Sequence, residues 1–272
     1  MNHIITSAVL VTVFNRKQVT LRGLETLYFA IGKMHKSSQF DIYVVDDGCT
    51  DGTGEAIRER FPKVKIIESN GGLFWGGGMN LAWRTAASMK DYDYYLWLND
   101  DAELYPNAIQ LLYDISNQEG ENVLVSGVFE DLNHKISYGG KAMNKKLLPP
   151  GTSEEIIFMN GNLVLIPKRI FKKLGYLDDK FIHGGGDYDY GLRAREAGFN
   201  IKLTNEIVGK TSRHDEKAHY RNDISLIKRI KLLYCKKNNP YTASKLYYRH
   251  FGLRNAIQVF FRRNMRTFFP SK

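Results

Sequence analysis

Four short apolar runs, each ending in a cluster of polar residues, organise the first hundred residues of this 272-residue chain. Ser7 to Phe14 ends at Asn15-Arg16, and Phe40 to Val45 ends at Asp46-Asp47-Gly48. Val64 to Glu68 ends near Asn70-Gly71-Gly72, and Tyr94 to Leu98 ends at Asn99-Asp100-Asp101. Each run is short and rich in β-branched or aromatic residues, which reads as a buried strand. Between them lie helical patterns. Leu21, Leu24, Leu27, Tyr28 and Ile31 share one helical face, and further helices are predicted from Ala56 to Phe61 and from Met79 to Met89. Such β–α alternation predicts an α/β fold with a mainly parallel, Rossmann-like central sheet flanked by helices. Ligands of open parallel sheets bind beyond the carboxyl ends of the strands. The four polar clusters therefore converge on one edge.

The pattern becomes mixed further along. Pro106 stands where a helix N1 proline belongs, and that helix runs to about Asn117. Strands are predicted over Asn122 to Phe129, Asn162 to Ile166 and Phe199 to Leu203. Lys141 to Glu155 carries Pro149-Pro150-Gly151 and reads as a loop. A short helix is predicted from Pro167 to Leu174. A glycine-rich turn at His183 to Gly186 leads into another, from about Asp187 to Ala197.

Charge divides the chain. Residues from Ile224 onward hold twelve Lys and Arg and no acid, so they carry +12 of the overall +10, and the preceding 223 residues net −2. Ile227, Ile230, Leu233 and Tyr234 recur at helical spacing among those cations, which predicts a basic amphipathic helix. Such a helix either lies on an anionic leaflet or packs its apolar stripe against the body. The organisation expected is a catalytic body over 1–215 and a basic helical extension over 216–272. Hydrophobic content of 43% and charged content of 25% exclude a disordered or collagen-like chain. Two cysteines, Cys49 and Cys235, exclude a disulfide framework and a four-cysteine zinc site. No run approaches the length of a membrane span, and Met1-Asn2-His3-Ile4 does not open like a signal peptide. The expected location is the cytoplasm.

The chemistry rests on carboxylates at strand ends. Asp100 and Asp101 are adjacent, and adjacent carboxylates are costly unless a positive group neutralises them. A divalent cation bridging a diphosphate would do so; equally, the pair could cap the following helix. Asp46-Asp47-Gly48-Cys49-Thr50-Asp51-Gly52 could accept hydrogen bonds from a base or ribose, or form a turn capped by Asp51 or Thr53. The segment from Asn70 to Gly78 places five glycines around Leu73-Phe74-Trp75 ahead of a helix. It fits neither a Walker loop nor a dinucleotide fingerprint. Asp187 near a helix N-terminus is a candidate general base. Asp189 and Arg193 are spaced to pair on that helix's surface. His183, His214, His219 and His250 are candidates for metal or acid–base work, although a lone histidine is more often structural.

Taken together, these residues resemble a family 2 inverting glycosyltransferase of the GT-A fold over roughly residues 5 to 215. Val11-Thr12-Val13-Phe14-Asn15-Arg16 resembles the family's opening V-P-x-Y-N-R, with Thr12 in place of proline. Val44 to Thr53 resembles V-D-D-G-S-T-D-G-T, with Cys49 for serine. Leu98-Asn99-Asp100-Asp101 resembles the D-x-D region. The segment from Gly186 to Arg193 resembles E-D-x-D-x-x-L-R, with Gly186 for glutamate. The glycine-rich segment is similar to that of bacterial enzymes of surface-polysaccharide assembly.

The resemblance implies a role for each matched position. Asp46, with Asp47, would bind the base or ribose of a nucleotide sugar, and Thr12 and Arg16 would line that pocket. Asn15, Gly72 and Asn80 would join the donor side, and Asp100 would contact ribose or metal. Asp101 would ligate Mn²⁺ or Mg²⁺, with His214 a further ligand if the fold returns it to Asp101. Asp187 would be the catalytic base. Trp75, Asn160, Gly186 and Asp189 would face the acceptor. The implied partners are a nucleotide-sugar donor, a glycan acceptor on a lipid carrier and an anionic membrane surface met by the basic extension on the inner face of the cell membrane. A homo-oligomer is left open. Two other classes compete: a metal-dependent nucleotidyl- or phosphotransferase, and a nucleic-acid binder using the tail. The tail has no recognised nucleic-acid reader motif, so nucleic acid is not among the expected partners.

Overall fold

A computed structural model describes residues 4–34, 38–153, 155–211, 218–236 and 238–270. The elements in chain order are β1 (Ile5–Val13), α1 (Lys17–Gly32), β2 (Ser38–Asp46), α2 (Thr53–Arg60), β3 (Lys65–Glu68), α3 (Phe74–Met89), β4 (Tyr94–Leu98), β5 (Glu103–Leu104) and α4 (Ala108–Gln118). They continue with β6 (Val123–Glu130), β7 (Ile136–Tyr138), β8 (Leu163–Pro167), α5 (Lys168–Leu174), α6 (Gly186–Glu196), β9 (Asn200–Lys210), α7 (Leu226–Leu233) and α8 (Pro240–Phe268).

One sheet runs in the order β3-β2-β1-β4-β8-β6-β9-β5, with β7 beside β6. Its first half is parallel: β1 pairs β2 and β4, and β2 pairs β3. Antiparallel pairs of β8 with β4 and β6 then join the second half, where β6 and β9 are again parallel. The sheet is thus parallel where the first four strands predicted it and mixed beyond.

Side chains alternate across each strand with a period of two. On β1, Val9, Val11 and Val13 enter one core with Leu24 and Leu27 of α1 and Leu112 of α4. Ala8 and Leu10 enter the other core with Met79 and Trp83 of α3 and Tyr190 of α6. Both faces are covered, which explains the near-continuous apolar runs. Their polar ends are left at one rim.

Helix α3 begins at Phe74, earlier than the glycine-rich composition predicted. Gly71 and Gly72 remain in the loop before the helix, whereas Gly76 and Gly78 provide close approach within it. A Cβ on Gly76 would lie 2.1 Å from the Phe181 carbonyl oxygen, and one on Gly78 would lie 2.3 Å from Thr12 Cγ2. Pro106 also differs from expectation: α4 is capped by Asn107 and starts at Ala108, so the proline precedes the cap.

The basic extension forms α7 and α8. Helix α7 packs against α8; Leu233 is buried, whereas Ile227 is 70% exposed, so the α7 stripe is only partly covered. Helix α8 is kinked at Gly252, whose backbone is non-helical at φ 82°. No helix among the described residues is long and apolar enough to cross a membrane.

Candidate active site

The ends of β1, β2 and β4 build one rim from side chains that hold each other. Asn15 adopts a left-handed φ of 48° and its Oδ1 accepts the Thr50 N–H at 2.7 Å. The Asp46 carboxylate accepts the Cys49 N–H at 2.7 Å, and Asp51 accepts the Thr53 N–H at 3.1 Å, so this segment is also a capped turn. Asp47 is buried. It accepts the Ser69 hydroxyl at 2.9 Å and the Leu73 and Phe74 N–H groups at 3.0 and 2.9 Å. A carboxylate at the start of α3 satisfies donors that the helix cannot pair itself and suits the helix dipole. Thr12 packs its side chain against Gly78 within that helix.

Arg16, just past β1, binds both carboxylates at the end of β4. Its guanidinium pairs with Asp100 and, at 3.0 Å, with Asp101. Thr20 Oγ1 adds a bond to Asp100 at 3.3 Å. Asp100 is buried, and desolvation pushes its pKa up to about 6 against the attraction of Arg16. Asp100 and Asp101 both bring carboxylates to this rim. Their hard oxygen donors suit Mg²⁺ or Mn²⁺, ions that complete their shells with phosphate oxygens and water. Among the described residues no third His, Cys, Asp or Glu joins them in a metal cluster. His214 lies outside the described residues.

A short chain of contacts leads from this pair to Asp187. Asn99, next to Asp100, accepts the Trp75 indole N–H at 2.7 Å and donates to Asn162 Oδ1 at 2.7 Å. Asn160 Oδ1 accepts the Asn162 N–H at 3.0 Å. The Gly161 N–H between them donates to Asp187 Oδ2 at 3.2 Å. A Cβ on Gly161 would lie 2.8 Å from the Trp75 ring, so only glycine lets Trp75 and Asp187 close on this turn. Gly186 begins α6 buried against Phe181 and Trp75. Burial pushes Asp187 up to about 6, while the N–H groups of Tyr188 and Gly161 and the Lys141 charge pull the other way.

Three of the expected site residues have other partners. Asn80 is buried and donates to the Leu177 carbonyl at 2.9 Å and to Asp179 at 2.6 Å. Gly72 is exposed, and its carbonyl accepts Lys236 of the extension at 3.2 Å. Asp189 pairs with Arg193 at 2.8 Å as the spacing predicted, but the pair is not on the surface, because Asp189 is fully buried. Arg249 and His250 of α8 also reach Asp189, at 2.5 and 3.0 Å. His250 Nδ1 bonds Glu196 at 2.6 Å, so this histidine is structural. These α8 partners lie some sixty residues from Asp189, and no local sequence pattern marks them.

A mixed central sheet flanked by helices is the architecture of the GT-A fold. The sequence profile of glycosyl transferase family 2 matches residues 8–175, and the chain belongs to that family. An uncharacterized glycosyltransferase of Rickettsia typhi is 25% identical over 222 residues, 76% of this chain and 64% of that protein. The N-acetylglucosaminyl-diphospho-decaprenol L-rhamnosyltransferase of Mycobacterium tuberculosis is 20% identical over 193 residues, 58% of this chain and 62% of that protein. The chain thus spans under two thirds of the length of either relative. In fold, TarS 1–349 of S. aureus is similar with a TM-score of 0.59 at 13% identity, over 96% of this chain and 72% of that one. The mannosyltransferase PcManGT of Pyrobaculum calidifontis, solved with GDP-Man and Mn²⁺, is similar with a TM-score of 0.59 at 15% identity, over 100% of this chain and 77% of that one.

Proposed function

We propose that this chain is an inverting glycosyltransferase that moves a sugar from a nucleotide-sugar donor to a hydroxyl of a lipid-linked glycan in bacterial surface-polysaccharide assembly. The observation that carries the reading is Asp187. Its carboxylate has a raised pKa near 6 and is joined through Gly161, Trp75 and Asn99 to the Asp100–Asp101 pair. A base whose pKa lies near the working pH is ionised yet still basic. Structurally similar proteins hold UDP-GlcNAc and GDP-Man, which supports a nucleotide-sugar donor. The mycobacterial relative's diphospho-decaprenol substrate supports a lipid-linked acceptor.

In this reading Asp46, Asp47, Asn15 and Arg16 seat the nucleotide at the ends of β1 and β2. Asp100 and Asp101 would hold a divalent cation, whose Lewis acidity offsets charge on the leaving diphosphate. Asp187 takes the proton from the acceptor hydroxyl as that oxygen attacks the anomeric carbon. The bond from that carbon to the diphosphate oxygen breaks, and the nucleoside diphosphate departs with its electron pair. Fixing donor and acceptor together supplies the proximity contribution. The basic extension, with its exposed aromatic and aliphatic side chains, holds the enzyme peripherally on the inner face of the membrane.

The test is a panel of nucleotide sugars with and without Mn²⁺, read by thermal stabilisation and by slow donor hydrolysis. One donor class should raise the melting temperature and be hydrolysed, with both effects reduced by EDTA. A chain stabilised by none of them, yet retained on polynucleotide, would favour the nucleic-acid alternative.

A further inference from the structure

A groove of about 640 Å³ separates the loop at 143–145 from the second half of α8. Met143 and Lys145 form one wall, and Tyr247, Ile257, Phe261 and Arg262 lie on the other. Two of its lining residues, Ile257 and Phe261, belong to an apolar stripe of α8. Leu253, Ile257, Phe261, Met265 and Phe268 recur every three to four residues and are 61%, 47%, 60%, 53% and 40% exposed. Met143 adds another exposed apolar side chain, at 55%. The opposite face of this half-helix is seated, because Ala256, Val259 and Thr267 are buried.

The groove is also lined by two cations, Lys145 and Arg262. Lys145 is held at a left-handed φ of 69°, with its ammonium 3.7 Å from the Phe158 ring and 5.1 Å from Tyr188, the neighbour of Asp187. Tyr247 lies 5.2 Å away on the third side. Among the described residues neither Lys145 nor Arg262 has a carboxylate ion-pair partner, and α8 contains no acid. Burial and the charges of Arg262 and Arg263 press the Lys145 pKa down to about 8, while Asp187 opposes them. Cations held this close repel one another, and a bound anion relieves that repulsion.

A groove that is cationic beside the base candidate and apolar toward an exposed stripe matches an amphiphile with an anionic head and a long apolar tail. We propose that this groove seats the lipid carrier of the acceptor, with Lys145 and Arg262 binding its diphosphate and Ile257, Phe261 and Met143 taking the first isoprene units. The head then lies beside Tyr188, which brings the attached glycan toward Asp187. This proposal rests on the transferase reading for its biological role but is tested by binding alone.

The probe is farnesyl diphosphate, titrated onto the full chain and compared with inorganic diphosphate and with vesicles containing phosphatidylglycerol. Farnesyl diphosphate should bind at least tenfold more tightly than inorganic diphosphate. Lys145→Glu and Arg262→Glu should each weaken it tenfold or more, and the uncharged Phe261→Ser should weaken it without changing the affinity for inorganic diphosphate. Arg262 and Phe261 are exposed, so unchanged melting curves can confirm that these variants fold. Equal affinity for the two diphosphates, insensitivity to the charge reversals, or vesicle binding without farnesyl diphosphate binding would each overturn the proposal. Donor affinity is measured on the same samples. Its loss in the wild-type chain would count against the transferase reading, whereas its survival alongside absent farnesyl diphosphate binding removes the groove alone.

Discussion

The Asp187 carboxylate accepts the backbone N–H of Gly161 at 3.2 Å. That bond ties the first turn of α6 to the turn before β8, and it persists only because Gly161 has no side chain. A methyl group there would meet Trp75 at 2.8 Å and Asp187 Cβ at 3.2 Å. Gly161→Ala should therefore displace Trp75 or Asp187. Ångström-scale misplacement of reacting groups costs ~10²-fold in rate, so transfer should fall by about that factor. Steady-state kinetics checks this, with donor affinity held within about threefold because Asp46 and Asp47 are untouched.

Asp187 also carries a stability penalty. Its folded pKa of about 6 lies above the ordinary aspartate value of 3.8, so the fold favours the protonated acid. The penalty is absent below about pH 4, where both states hold the proton, and grows as pH rises through 6. At pH 7 it amounts to roughly 1–3 kcal/mol. Asp187→Asn should thus melt higher than the wild type at pH 7, with the difference disappearing toward pH 4. Equal melting temperatures across that range would contradict the raised pKa.

The extension braces α6 through Asp189. This carboxylate is fully buried and is held by Arg193, Arg249 and His250. Removing one partner of a buried pair costs about 3–5 kcal/mol because the other charge is stranded. Arg249 is about one third exposed, so Arg249→Met should fall at the lower end of that range. In an Asp189→Asn background the same change should cost markedly less. Chemical denaturation of the four-member cycle measures the coupling.

Much of this architecture was legible because strands buried on both faces must be apolar, and the polar residues that end them mark the rim. Arg16, at the end of β1, and Asp100 and Asp101, at the end of β4, lie at two such ends and do meet. The start of α3 is not legible in the composition, because glycine usually signals a flexible turn. Gly76 and Gly78 instead let the helix approach the Phe181 carbonyl and Thr12. The two-residue β5 and three-residue β7 are too short to show a period. The bonds from Arg249 and His250 to Asp189 depend on how α8 folds back, which no local spacing encodes.

The most direct test of the central claim compares wild type and Asp187→Asn with the donor that the nucleotide-sugar panel identifies. For the wild type, kcat/KM should rise about tenfold per pH unit up to about 6 and then level, as a base that must be ionised requires. Asp187→Asn should lose about 10²–10⁴-fold in transfer, the usual contribution of a positioned base, while donor Kd stays within about threefold. Turnover by Asp187→Asn close to that of the wild type, with the same pH profile, would contradict the assignment of Asp187 as the base.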